Sequence, residues 1–134
     1  MEIGDAAHYL VTQAGTAGSL FYGNLDVNRV AAVGHSQGAG GATRAALSNP
    51  ALIKTLMTFS LPITYWLNGP DIAQLTRPAS IVDPAYGGNP GGELCYATAW
   101  LAYQLLGDPT AATAFTGATP ELVANANWPG SAVK

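Results

Sequence analysis

Ser36 stands between two glycines, in Gly34-His35-Ser36-Gln37-Gly38, directly behind a short apolar run, Val30-Ala31-Ala32-Val33. A small-residue segment with helical character follows, from Gly38 to about Leu47. The order strand, sharp turn, helix holds a serine on a strained backbone with its hydroxyl pointing out above a sheet. The helix behind it offers backbone N–H groups to a developing anion, that of Gln37 first among them. A serine presented in this way attacks ester or amide carbonyls. Gly34 and Gly38 are expected to let strand and helix approach closely and to leave the turn unobstructed. The bare Gly-x-Ser-x-Gly pattern is weak in a chain with 16 glycines, so the alternative is a glycine-rich turn with an incidental serine.

A serine hydroxyl needs a histidine to accept its proton, oriented in turn by a carboxylate. The chain has two histidines, His8 and His35, and both precede Ser36. His35 belongs to the turn itself, and its side chain is expected to point away from the nucleophile, toward a packing role. His8 falls on a predicted helix as a partly exposed residue. Asp71 is the best carboxylate. It follows a predicted strand, Ile63 to Leu67, by four residues past a Gly-Pro turn, at a strand edge where ligands bind in parallel sheets. Its plainer reading is a helix N-cap or turn aspartate. Asp83 and Asp108 read as turn and cap residues, and Arg44 and Lys54 as solvated charges. No metal-ligand spacing, phosphate-binding glycine loop or Gly-x-Gly-x-x-Gly occurs, so neither a metal nor a cofactor is expected.

At these residues the sequence resembles the α/β-hydrolase fold family, and within it the ester hydrolases of the dienelactone-hydrolase and polyester-depolymerase type. The matching stretches are Leu25-Asp26-Val27-Asn28-Arg29-Val30 leading into Gly34-His35-Ser36-Gln37-Gly38, then Leu67-Asn68-Gly69-Pro70-Asp71-Ile72-Ala73. Gly91-Gly92-Glu93 and the run Ala97 to Asp108 resemble the family's C-terminal helix. The resemblance implies Ser36 as nucleophile, Asp71 as acid, Gln37 as an oxyanion donor, and carboxylic esters as substrates. It also implies a triad in the order Ser, acid, His, with the histidine between Asp71 and Glu93, where this chain has none. In the family several strands precede the elbow, and one of their loops supplies a second oxyanion donor. Here 29 residues precede Val30, room for one helix and a loop, so the chain reads as a truncated version of the fold. In the family a cysteine near Cys95 pairs with a second one, and Cys95 is the only cysteine present.

Composition bounds the remaining possibilities. The chain has 134 residues, enough for one domain with a core. Hydrophobic residues make up 49% and charged residues only 10%, and the net charge of −3 speaks against a nucleic-acid partner. No apolar run approaches a membrane span, and Met1 is followed by Glu2 and Asp5, so neither a membrane role nor a signal peptide is expected and a cytoplasmic setting is the default. Cys95 is expected to be buried as a small apolar residue.

Along the chain, Asp5 is a plausible N-cap for a helix to about Gln13, with Ala7, Leu10, Val11 and Ala14 facing a sheet. Strands are predicted at Val30–Val33, Leu56–Phe59 and Ile63–Leu67, and residues 68–92, rich in proline, read as loop. Glu93 to Leu106 is the clearest helix, with Leu94, Ala97, Leu101 and Leu105 as its apolar stripe and Gly107 as its stop. Asp108-Pro109 opens a short helix, and Leu122 and Trp128 are expected to pack the tail back on the body. Alternating strands and helices predict a small parallel sheet with flanking helices, which the resemblance makes a partial α/β-hydrolase fold, as a single domain over residues 1–134.

Three functional readings follow. The first is an ester hydrolase acting on a small ester or polyester. The second is a catalytically silent α/β-hydrolase fragment or pseudo-enzyme that binds or self-associates. The third is a chain whose missing half comes from a second one. The uncovered side of the elbow strand predicts a homo-oligomer.

Overall fold

The computed structural model describes residues 3–61, 72–82 and 90–133. Helix α1 (Ile3–Gly15) leads through turns into strand β1 (Val30–His35), helix α2 (Gln37–Ser48), strand β2 (Ile53–Phe59) and strand β3 (Ala79–Val82). Helix α3 (Pro90–Leu101) runs on into a π-helical turn (Ala102–Leu106), followed by the short helices α4 (Pro109–Ala112) and α5 (Glu121–Ala124) and strand β4 (Ala132–Val133). The sheet has the order β1-β2-β3-β4. It is parallel from β1 to β3, as the β-α-β alternation predicts, and β4 adds an antiparallel edge. The architecture is a partial α/β fold, mixed at one edge instead of wholly parallel.

The register aligns the C-terminal ends of the parallel strands. His35 lies beside Phe59, and Phe59 beside Val82. Because side chains alternate along a strand, Ala32, Gly34, Leu56 and Thr58 share the α2 face, while Val33, His35, Thr55, Met57 and Phe59 share the other. Strand β2 is central, and every residue from Thr55 to Phe59 is buried. On its α2 face Ala42, Ala45 and Ala46 pack against Ala32, Leu56, Leu75 and Ala79. Small side chains along α2 are what allow the helix to sit this close to the sheet. On the opposite face Trp100, Tyr96, Phe115, Leu122 and Trp128 gather around Met57, Phe59 and Val82. The expected docking of the tail through Leu122 and Trp128 is therefore observed.

Side-chain hydrogen bonds tie this second layer together, although the buried Ser80 Oγ has no hydrogen-bond partner. Trp100 Nε1 donates to Thr55 Oγ1 at 2.8 Å, and Thr55 Oγ1 donates to the Pro78 carbonyl at 2.9 Å, tying α3 to β2 and to the start of β3. The Asp108 carboxylate caps α4, accepting from the N–H groups of Thr110 and Ala111. Gly107 ends the π-helical turn at φ 72°, a left-handed conformation that glycine adopts without a Cβ penalty.

Several expectations change. The third strand is Ala79–Val82, inside the stretch read as loop, because four residues between prolines give too short a run to register as periodic. Ile63 to Leu67 lies outside the described residues. The inward stripe of α3 and the π-helical turn is Tyr96, Trp100 and Tyr103; of the predicted stripe Ala97 packs against this cluster, while Leu94 is 73% exposed. Aromatic bulk, not aliphatic count, decides which side of α3 faces in. Cys95, expected to be buried, is exposed. Asp5 lies within the first turn of α1 and is not its N-cap. Helix α1 packs on α2, with Ile3 against Gly41, and its Ala7, Leu10 and Val11 face β1 across a groove.

Candidate active site

One residue, Ser36, separates the last residue of β1 from the first of α2. Reversing a chain in so little space requires an unusual backbone, and Ser36 has φ 51° and ψ −121°. A residue other than glycine held there costs about 1–3 kcal/mol, which the surroundings must impose. They do so through two hydrogen bonds. The Ser36 N–H donates to the Phe59 carbonyl at 2.9 Å, and the Ser36 carbonyl accepts from the Ala39 N–H at 3.0 Å. The side chain makes no capping bond to α2 and is exposed, so the hydroxyl is not consumed by the helix it precedes.

The two flanking glycines differ in what they do. A Cβ on Gly34 would fall 2.2 Å from the Gly38 carbonyl oxygen and 2.7 Å from the Ala39 nitrogen, so α2 crosses directly over Gly34. A Cβ on Gly38 would meet nothing within 4 Å. The close approach expected of both glycines is therefore a property of Gly34 alone. Gln37 is the first residue of α2, and the N–H groups of a first turn have no acceptor inside their own helix. The Gln37 N–H is thus available beside the Ser36 hydroxyl.

Neither histidine is arranged as a partner for Ser36. His8 Nε2 lies 2.8 Å from Asn49 Oδ1, and Asn49 is the C-cap of α2. Ser36 caps the other end of that 12-residue helix, so at 1.5 Å per residue His8 is about 18 Å away. His35 follows Gly34 in β1, and strand alternation turns its imidazole to the face opposite α2. There it is exposed and not packed, which corrects the packing role expected of it. Asp71 lies outside the described residues. The residue that directly follows Val82, at the end of β3, is Asp83, and it too lies outside them.

One feature of this edge was missed from sequence. Ser60 follows β2 as Ser36 follows β1, and it has φ 49°. Its signal was present in Phe59-Ser60-Leu61-Pro62, where a small polar residue follows an apolar strand just ahead of a proline.

A cavity of about 620 Å³ lies away from the elbow, between α3 and the tail, lined by Cys95, Tyr96, Glu121, Asn125, Asn127 and Trp128 among others. There the Tyr96 hydroxyl donates to both Glu121 carboxylate oxygens, at 2.7 and 2.8 Å, and accepts from Asn125 Nδ2 at 2.9 Å. Burial, together with the neighbouring Glu121 carboxylate, pushes the Tyr96 phenol up to about 12. This cluster ties the tail to α3, and Ser36 does not line it. Among the described residues no group of three or more His, Cys, Asp or Glu side chains is placed to hold a metal ion. Nor is any described helix long and apolar enough to cross a membrane.

The strained strand–serine–helix turn can be set beside known families. The sequence profile of the PET hydrolase-like family matches residues 2–85, from α1 through β3. The chain belongs to the PET hydrolase-like family. This is a family of polyester hydrolases of the α/β-hydrolase, dienelactone-hydrolase type. The matched stretch contains Ser36 and both Asp71 and Asp83, while α3, the aromatic layer and the tail lie beyond it. No curated protein matches the chain.

Proposed function

We propose that this chain is a carboxylic ester hydrolase, acting on a small ester or a polyester, with Ser36 as its nucleophile. The observation that supports this reading is the backbone of Ser36, a strained non-glycine residue at the junction of β1 and α2, in a chain of a polyester-hydrolase family. In the reaction Ser36 Oγ attacks the ester carbonyl carbon and loses its proton to a base. The carbonyl oxygen becomes an oxyanion, the Gln37 N–H stabilises it, and the alkoxide leaves with a proton; water then attacks the acyl-serine, releasing the carboxylic acid and returning the proton to Ser36 Oγ. Gly34 holds the turn closed, and His35 and Gly38 complete the elbow. The acid is Asp71, as the sequence resemblance implies, or Asp83, which the position of β3 favours because it directly follows that strand. We read the whole chain as one α/β-hydrolase-like domain.

That neither His8 nor His35 is arranged to take the Ser36 proton favours a second reading, a catalytically silent member of the fold that binds or self-associates. Even under the first reading turnover is slow. A carboxylate alone is a poorly matched base for a hydroxyl. Labelling of the purified chain with a fluorophosphonate, followed by peptide mass mapping, separates the two. An adduct on Ser36 that disappears in Ser36→Ala, together with loss of p-nitrophenyl ester hydrolysis, supports the hydrolase. A chain that takes up no label is the silent module.

A further inference from the structure

We propose that Ser60 is a second ligand-facing hydroxyl of the same edge, which donates a hydrogen bond to an oxygen of the ester held over Ser36; this rests on the hydrolase reading and deepens it. Strands β1 and β2 run parallel and finish in register, His35 beside Phe59. Ser36 and Ser60 are the next residue of each. Neighbouring strands lie about 4.8 Å apart, so the two serines stand about one ester group's width from each other. Both residues have a positive φ. Ser36 has φ 51° and Ser60 has φ 49°, and among the described residues no other non-glycine residue has a positive φ. Each N–H is bonded one strand along, Ser36 to the Phe59 carbonyl and Ser60 to the Val82 carbonyl, both at 2.9 Å.

Ser36 has a chain-path reason for its conformation, because α2 begins at the next residue. A turn that merely needs φ near 50° is met at less cost by glycine, or by asparagine. Serine at that place costs stability and adds only a hydroxyl. The Ser60 N–H is committed to the sheet, so the hydroxyl is the group left to serve a ligand. Ser60 is partly exposed, at the C-terminal edge of parallel strands, where open α/β sheets bind their ligands.

The test replaces Ser60 by glycine, which relieves the backbone and removes the hydroxyl together. Binding of ethyl benzoate is followed by NMR titration in the Ser36→Ala chain and in Ser36→Ala/Ser60→Gly, which frees the measurement from turnover. Loss of one hydrogen bond predicts affinity weaker by about fivefold in the double variant, with a higher melting temperature. Ser60→Asn, which tolerates the same backbone and keeps a donor, restores most of the affinity. Equal affinity in Ser36→Ala and Ser36→Ala/Ser60→Gly overturns the proposal, as does a Ser36→Ala chain that binds no ester. Fluorophosphonate labelling of the wild-type chain, run in parallel, keeps the two readings apart. Labelled Ser36 with binding indifferent to Ser60 removes the role of Ser60 alone. Binding that depends on Ser60 with no label on Ser36 removes the nucleophile alone.

Discussion

Gly34 and Gly38 look equivalent in sequence, yet a Cβ meets backbone 2.2 Å away at one and open space at the other. Backbone cannot move aside as a flexible side chain can, so Gly34→Ala must push α2 off β1. We expect a loss of about 3 kcal/mol or more, with the elbow disrupted and any labelling of Ser36 abolished. Gly38→Ala, in the first turn of α2, instead gains about 0.5–1 kcal/mol from a lower unfolded-state entropy and better helix propensity. Thermal unfolding of the two variants checks this, and equal destabilisation would contradict the asymmetry. The histidines carry a second expectation. His8 is bonded at the far end of α2 and His35 faces away from it, so neither supplies the proton acceptor. Any esterase pH profile should therefore be unchanged in His8→Ala and in His35→Ala. A limb near the ordinary histidine range that vanishes in either variant would show that an imidazole reaches Ser36 after all.

At the scale of elements, the Tyr96–Glu121–Asn125 cluster joins α3 to α5 and sets a pH dependence. The Tyr96 phenol titrates at about 12 in the folded chain against an ordinary 10. The folded state thus holds this proton more tightly than the unfolded chain does. The stability it confers is complete below pH 10 and is lost as pH rises from about 10 to about 12. Tyr96→Phe should lower stability at neutral pH by about 1–2 kcal/mol, through the lost bond to a carboxylate, and flatten the alkaline part of the curve. Chemical denaturation from pH 8 to pH 11.5 measures both. The same region shows what sequence could and could not convey. The elbow, α2 and the capped start of α4 were legible because glycine, serine, aspartate and proline act locally. The phase of α3 was not, because Leu94 and Leu101 compete with Tyr96 and Trp100 for the inner side, and only the aromatic layer around Phe115 and Trp128 decides it. Strand β3 was hidden for a related reason, since Ala79-Ser80-Ile81-Val82 is too short to show a period and is specified by the neighbouring β2. Ser60 carried a visible signal but no recognised pattern around it.

For the whole molecule, the order β1-β2-β3-β4 leaves the elbow strand on the outside, paired with β2 alone among the described residues. An edge of this kind offers unpaired N–H and C=O groups to any other strand, and proteins guard such edges with charge, proline or bulges. The guards here are few. The register shift lies at the first step, between Val30 and Ala31, which leaves Ala31 to His35 regular. The nearby charges, Asp26 and Arg29, neutralise each other in an ion pair at 3.1 Å. Helix α1 does not seal the edge either. Between it and β1 runs a groove of about 480 Å³ lined by Ile3, Leu10, Val11, Leu25, Val27 and Val30 among others, and Val33 beyond it is 44% exposed. A strand that adds to β1 would complete its hydrogen bonds and cover part of this apolar surface in one step. We therefore expect the purified chain to form a dimer or larger assembly through β1. Sedimentation velocity across a concentration series should show a species heavier than 13.7 kDa that dissociates on dilution. Val33→Lys, which places a charge on the open strand, should shift it to the monomer without unfolding the chain. A wild-type chain that stays monomeric at high concentration would mean that α1 and the turns after it shield the edge in solution more fully than the groove suggests.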